Sequence, residues 1–255
     1  MPQAFSPKKD AQNSCAGGDR ADGFISAAPT PAPGSVVVPN TMETYYRERA
    51  AEYDRFYEVP ERQGDLARLR TWLVERACGR TILEIAAGTG HWTQAAASVA
   101  RAIVATDYNG ETLAIAARRD LGPNVSLRVA DAYALPPFIE IFDAGMAHLW
   151  WSHVEKQRRR EFLAHFAAHL QPGALILMID QTYVEGLTPP IVRQDAAGNQ
   201  YSLRKLANGS AYEIVKNYPS DEELHEDVAD VCDRISIMRL DHFWALSAHV
   251  RPSSI

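Results

Sequence analysis

Between residues 81 and 131 the chain repeats one pattern: a short apolar run, an acid at or near its end, then residues of helical period. Thr81-Ile82-Leu83-Glu84-Ile85 is too short and too apolar for a surface helix and reads as a buried strand. A small-residue turn, Ala86-Ala87-Gly88-Thr89-Gly90, leads into an Ala-rich helix over 92–100. Ala102-Ile103-Val104-Ala105-Thr106-Asp107 is a second buried run, followed by Asn109 as the cap of the next helix. Residues 124–131 form a third, ending in Asp131. Ile141–His148 and Ala174–Asp180 continue the series as fourth and fifth strands, separated by a helix over 155–170 that Gln171-Pro172-Gly173 breaks. Apolar strands alternating with helices predict an α/β protein with a parallel sheet.

The pattern changes at both ends. Thr41, as an N-cap, and Thr44 open an aromatic-rich helix to Tyr57, and residues 61–77 form a second with Leu66, Leu69, Leu73 and Ala77 on one stripe. Residues 181–218 are longer than a simple strand–helix connection. There, Thr188-Pro189-Pro190 forbids helix, and Tyr201–Leu206 and Ala211–Lys216 flank a turn at Asn208-Gly209, which predicts a β-hairpin. It leaves the sheet at the carboxyl end of the fifth strand, so it reads as a lid. Ser220-Asp221-Glu222-Glu223 is a capping box, and two runs at 235–240 and 243–249 close the sheet. Residues 1–40 are rich in Ala, Pro, Gly and Ser and read as a disordered leader, which leaves 41–255 as the folded domain.

Composition narrows the function classes. Of the 255 residues, 46% are hydrophobic, enough for a sizeable core. Net charge is −6, which argues against a nucleic-acid surface, and Lys156–Arg160 reads as a solvated helix face. The three Cys are scattered outside any metal-ligand spacing and fit a reducing, cytoplasmic setting. No run approaches the roughly 18 apolar residues of a membrane span. Oligomeric state is left at monomer or homodimer.

The first turn carries the chemistry. Gly88 and Gly90 let the backbone approach a ligand, and the following helix start offers free N–H groups, so the segment is a nucleotide cradle at a strand end. A dinucleotide fingerprint would place a small residue where Thr93 stands. Leu83-Glu84-Ile85-Ala86-Ala87-Gly88-Thr89-Gly90 instead resembles motif I of the class I S-adenosylmethionine (SAM)-dependent methyltransferases, with Ala86 replacing its first Gly. Asp107 follows Glu84 by about 20 residues at the end of the second strand, placed to accept from ribose hydroxyls.

That resemblance implies a doubly wound, Rossmann-like seven-stranded sheet with its last strand antiparallel. It implies SAM as cofactor, with Glu84, Ala86, Gly88 and Gly90 at the methionine end, Asp107 and Tyr108 at the ribose, and Asp131 and Ala132 at the adenine. It also implies that the N-terminal helix lies over the pocket, with Tyr46 and Tyr53 as cofactor contacts. His148, at the fourth strand's end, faces the same ligand.

The acceptor side is less explicit. Trp150 and Trp151 are candidates to wall a flat substrate, and His153 to take a proton from the nucleophile. Packed tryptophans and a helix-starting histidine are the plainer alternatives. Tyr183, Glu185 and Arg193 stand at the root of the predicted lid as candidate substrate contacts. No metal site is expected: Asp180 alone is a poor magnesium ligand set. The expectation is methyl transfer to oxygen or nitrogen of a small metabolite. A non-catalytic SAM-binding module and a protein or RNA methyltransferase are the alternatives, and a nicotinamide oxidoreductase is a weaker one.

Overall fold

A computed structural model of the chain describes residues 41–252 except Asn208. The leader assigned to 1–40 lies outside the described residues, as does the side chain of Thr41. In chain order the strands are β1 Thr81–Ile85, β2 Ala102–Asp107, β3 Val125–Val129, β4 Phe142–His148, β5 Leu170–Gln181, β6 Ile191–Gln194, β7 Gln200–Lys205, β8 Ala211–Val215, β9 Cys232–Arg239 and β10 Phe243–Val250. The helices are α1 Thr41–Arg49, α2 Gln63–Ala77, α3 His91–Ala97, α4 Gly110–Ala116, α5 Arg159–Ala167 and α6 Asp221–Ala229.

Seven strands make one sheet in the order β3-β2-β1-β4-β5-β10-β9. The β1–β5 pairs are parallel, while β10 runs antiparallel to both β5 and β9. Strand order reverses between β1 and β4, and ligands of doubly wound sheets bind at the carboxyl ends beside such a switch. Alternation along β1 feeds two cores: Ile82 joins one apolar cluster, with Leu69, Leu73, Trp92 and Leu113, and Leu83 and Ile85 join the other, with Phe162, Phe166 and Trp244. At Gly145 of β4 a Cβ would lie 2.6 Å from the Phe166 ring, so its glycine lets α5 lie close against the sheet.

Three local outcomes refine the sequence reading. The aromatic N-terminal helix is α1 followed by a tighter 3-10 run, Ala50–Tyr57. The predicted hairpin forms as β7–β8, and β6 adds a third strand beyond it, directly after Pro189-Pro190. The capping box is complete: the Ser220 hydroxyl accepts from Glu223 N–H at 3.2 Å, and Glu223 accepts from Ser220 N–H at 3.1 Å. Among the described residues no helix is long and apolar enough to cross a membrane.

Candidate functional site

The turn after β1 folds tightly because three residues take the left-handed region: Ala86 (φ 51°), Gly88 (φ 58°) and Gly90 (φ 78°). For Ala86 that conformation is unfavourable by roughly 1–2 kcal/mol. Asp107, at the end of β2, ties the turn down. Its Oδ2 accepts the Gly88 N–H at 2.9 Å, and its Oδ1 accepts the Asn109 N–H at 2.8 Å and the Thr112 hydroxyl at 3.1 Å. Burial outweighs these donors and raises the Asp107 carboxyl above the usual range. Beyond β3, Asp131 accepts the Tyr133 N–H at 2.8 Å.

These strand ends open on a cavity of about 410 Å³. Ala86, Gly88, Asp107, Tyr108, Asp131, Ala132 and His148 line it from the sheet side, Tyr46 and Tyr53 from the N-terminal segment, and Trp150 and His153 from the loop after β4. Most of the residues expected at the cofactor therefore meet in one place. The 3-10 run is held over the cleft by Asp54, which accepts the Thr89 hydroxyl at 2.6 Å and pairs with Arg119. His148 is 5% exposed with both ring nitrogens unpartnered among the described residues, and burial lowers it to about 3. The Trp150 indole N–H is likewise buried without a partner. Buried polar atoms without partners are rare in folded proteins, and here they surround a ligand-sized space. The acids, the turn that lines the cleft and the size of the cleft fit SAM.

A second cavity of about 250 Å³ adjoins the first, and Tyr46, Tyr53, Leu149 and His153 line both. Arg49, Arg55, Arg62, Gln181, Arg204 and Lys216 complete its polar lining. Its roof is the three-stranded insert, which is fastened at several points. Lys216 Nζ donates to Ser152 Oγ at 2.6 Å and to Asp180 Oδ1 at 3.1 Å, with both charged groups buried. The Asn217 N–H donates to the Ser152 carbonyl at 2.8 Å, and the Tyr212 hydroxyl donates to Glu48 of α1 at 2.8 Å. Burial alone would raise Asp180. Lys216, His153 and the N–H groups of Ser152 and Gln181 instead hold it below its usual value.

His153 sits where the cavities meet. Its Nδ1 faces the Val215 carbonyl at 2.6 Å, so it carries the proton and donates. Nε2 is then left as acceptor for the Tyr46 hydroxyl at 2.7 Å. Burial, then Lys216, lowers the imidazole to about 3, so it is neutral and weakly basic near pH 7. Leu149 before it takes φ 55°, a strained conformation for a branched side chain at the lip of both cavities.

Several expected contacts stand elsewhere. Glu84 and Gly90 do not line the cleft. Strand alternation turns Glu84 under α3 with Ile82, and burial pushes its carboxyl up to about 8. Trp151 is fully buried against Phe162, with Arg159 over its ring, so the aromatic wall reduces to Trp150. Tyr183 and Glu185 are exposed outside both cavities, and Arg193 pairs with Glu213 on the outer face of the insert. Thr89, Asn109, Thr112, Tyr133 and Arg158 line the cleft without having been singled out. In the second cavity only Tyr46-x-x-Arg49-x-x-x-Tyr53 had a readable spacing, one side of a helical turn. Among the described residues no group of three or more His, Cys, Asp or Glu is placed to hold a metal.

Comparison with known proteins agrees with this geometry. Residues 82–173 match the model of the methyltransferase domain family. Demethylmenaquinone methyltransferases of Renibacterium salmoninarum (24% identity, 76% of this chain, 84% of the relative) and Clavibacter sepedonicus (29%, 73% and 79%) are similar in sequence. Among solved structures, a DhpI complex with S-adenosylhomocysteine superposes with a TM-score of 0.68 at 27% identity, covering 86% of this chain and 100% of that one. The 1,6-didemethyltoxoflavin N1-methyltransferase of Burkholderia thailandensis, with a TM-score of 0.58 at 16% identity, covers 89% of this chain and 94% of its own and shares the fold. The chain has the class I methyltransferase fold, with a methyltransferase domain over residues 82–173. Its methyl donor is SAM, and its activity is SAM-dependent methyl transfer.

Proposed function

We propose that the enzyme transfers the methyl group to an oxygen or nitrogen of a small molecule held in the second cavity. The observation that carries this reading is the shared wall. Tyr46, Tyr53, Leu149 and His153 face both cavities, so a donor in one and an acceptor in the other meet at those four residues. A space of about 250 Å³ under a fastened roof suits a metabolite better than a polymer. Relatives point the same way: two are named for demethylmenaquinone and one for didemethyltoxoflavin, and one neighbour was solved with SAM and a second ligand, HEP.

Bound SAM supplies an electrophilic methyl on a sulfonium. The chain's contribution is to align and desolvate. Asp107 and Asp131 hold the ribose and adenine, and Ala86 and Gly88 bring backbone to the methionine end. Tyr46 and Tyr53 close the cleft from above. His153 keeps the Tyr46 hydroxyl in place where the two cavities meet.

The test is incubation of the protein with methyl-labelled SAM and a cell extract, followed by mass spectrometry of the small-molecule and macromolecular fractions. A labelled product in the small-molecule fraction is expected. Label confined to protein or RNA would overturn the proposal.

A further inference from the structure

The second cavity gathers positive charge. Arg49 comes from α1, Arg62 from the turn before α2, Arg204 from β7, and Lys216 from just beyond β8. Asp180 pairs with Lys216. Among the described residues none of the three guanidinium groups has a carboxylate within ion-pair distance. Arg49 donates to the Tyr45 hydroxyl at 2.8 Å and Arg62 to the Phe56 carbonyl at 3.0 Å. Arg204 Nε is buried with no hydrogen-bond partner among the described residues.

Such a cluster is costly without a counter-charge. Burial holds Arg62 below its usual range, and Arg49 and Arg204 push it the same way. Burial also lowers Lys216, with Arg204 and Arg49 working against Asp180. Arg62 and Lys216 are 8% and 2% exposed, so water screens them little. Guanidinium groups offer planar forks of donors that match the paired oxygens of carboxylates and phosphates. No acid lines the cavity.

We propose, resting on the acceptor reading above, that the methyl acceptor is a small oxyanion, a carboxylate, phosphate or phosphonate, bound by Arg49, Arg62 and Arg204. The reacting oxygen then arrives already ionised. Its lone pair forms the new O–C bond as the methyl–sulfur bond breaks, and that bond's pair stays on sulfur. The anionic and sulfonium charges cancel, and no proton is released. This accounts for a site whose single histidine at the junction is a poor base: an oxyanion needs none.

The experiment is calorimetric titration of the full chain, saturated with S-adenosylhomocysteine, by inorganic phosphate, methylphosphonate and acetate in turn. At least one is expected to bind at a single saturable site. Arg62→Gln and Arg204→Gln should each weaken it on the order of tenfold or more, and added salt should weaken it further. Preference for phosphate and methylphosphonate over acetate would assign a tetrahedral anion, and the reverse a carboxylate. Titration of S-adenosylhomocysteine into each variant reports whether the fold and the cofactor cleft survive. Arg204→Lys keeps the charge without the fork, so it serves where the Gln variants do not fold, with an intermediate loss expected. The proposal is overturned if none of the three anions saturates a site, or if binding is the same in the variants. That failure would leave the extract-labelling result untouched, because labelling reads product mass whatever the acceptor's charge.

Discussion

The two cavities share four residues and differ in charge. The larger one is lined by Glu43, Asp107 and Asp131 and is built on strand ends. The smaller one is lined by Arg49, Arg62, Arg204 and Lys216 and is built on the N-terminal segment and the insert. The acids suit a cationic donor rich in hydroxyl and amino groups. The cations suit an acceptor of the opposite sign. One wall thus separates an acidic lining from a basic one.

The difference also shows in how each half is held, and this can be broken experimentally. The insert depends on a buried ion pair, so Lys216→Met strands Asp180 without its counter-charge and should destabilise the protein by about 3–5 kcal/mol, read by urea unfolding. A loss under 1 kcal/mol would show that the roof is fastened elsewhere. In the cofactor cleft, Asp107→Ala removes a charged acceptor and frees the Gly88 turn. It should weaken SAM by roughly 1–3 kcal/mol in calorimetry while the titrations of the basic cavity stay as in the parent. Unchanged SAM affinity would remove Asp107 from the site.

Two pH experiments sharpen the comparison. Glu84 is raised to about 8 in the folded state, against an unfolded carboxyl near 4.5. Its folded form therefore binds the extra proton. The associated stability is full below the unfolded value and is lost as pH rises through about 8. Glu84→Gln should flatten the fall in unfolding free energy between pH 5 and 8, and an unchanged slope would reject the assignment. His153 is already neutral well above pH 3. The maximal rate should therefore show no acid limb near 6.5 in the window pH 6–8, and such a limb would restore an ordinary histidine base. The smallest effect concerns the turn. Ala86→Gly relieves a left-handed alanine but adds chain entropy, so unfolding free energy should shift by less than about 1 kcal/mol, with SAM binding retained.

The cofactor half was legible because local rules build it. Short apolar runs, acids at their ends and a glycine turn are all read within one strand–helix unit, and the sheet merely aligns three such units. Glu84 is the instructive exception. Its place in the motif suggests a contact, but the period of two along β1 turns it beneath α3. Trp151 fails in the same way: adjacent tryptophans on a 3-10 turn diverge, one to the cleft and one to the core. In the insert, the hairpin was readable from Asn208-Gly209. Which of its side chains point inward was not: Tyr183, Glu185 and Arg193 lie outside the smaller cavity, which Arg204 and Lys216 line.

The sequence by itself determined the sheet, its class and the donor, and it named many of the residues that line the larger cavity, since each follows from spacing within a continuous segment. Only the tertiary structure decided the second cavity. Arg49 and Arg62 stand far along the chain from Arg204 and Lys216, and no periodicity relates the two pairs. They become one basic cavity because the insert folds back and Lys216 finds Asp180 at the end of β5, a long-range ion pair that no local pattern announces.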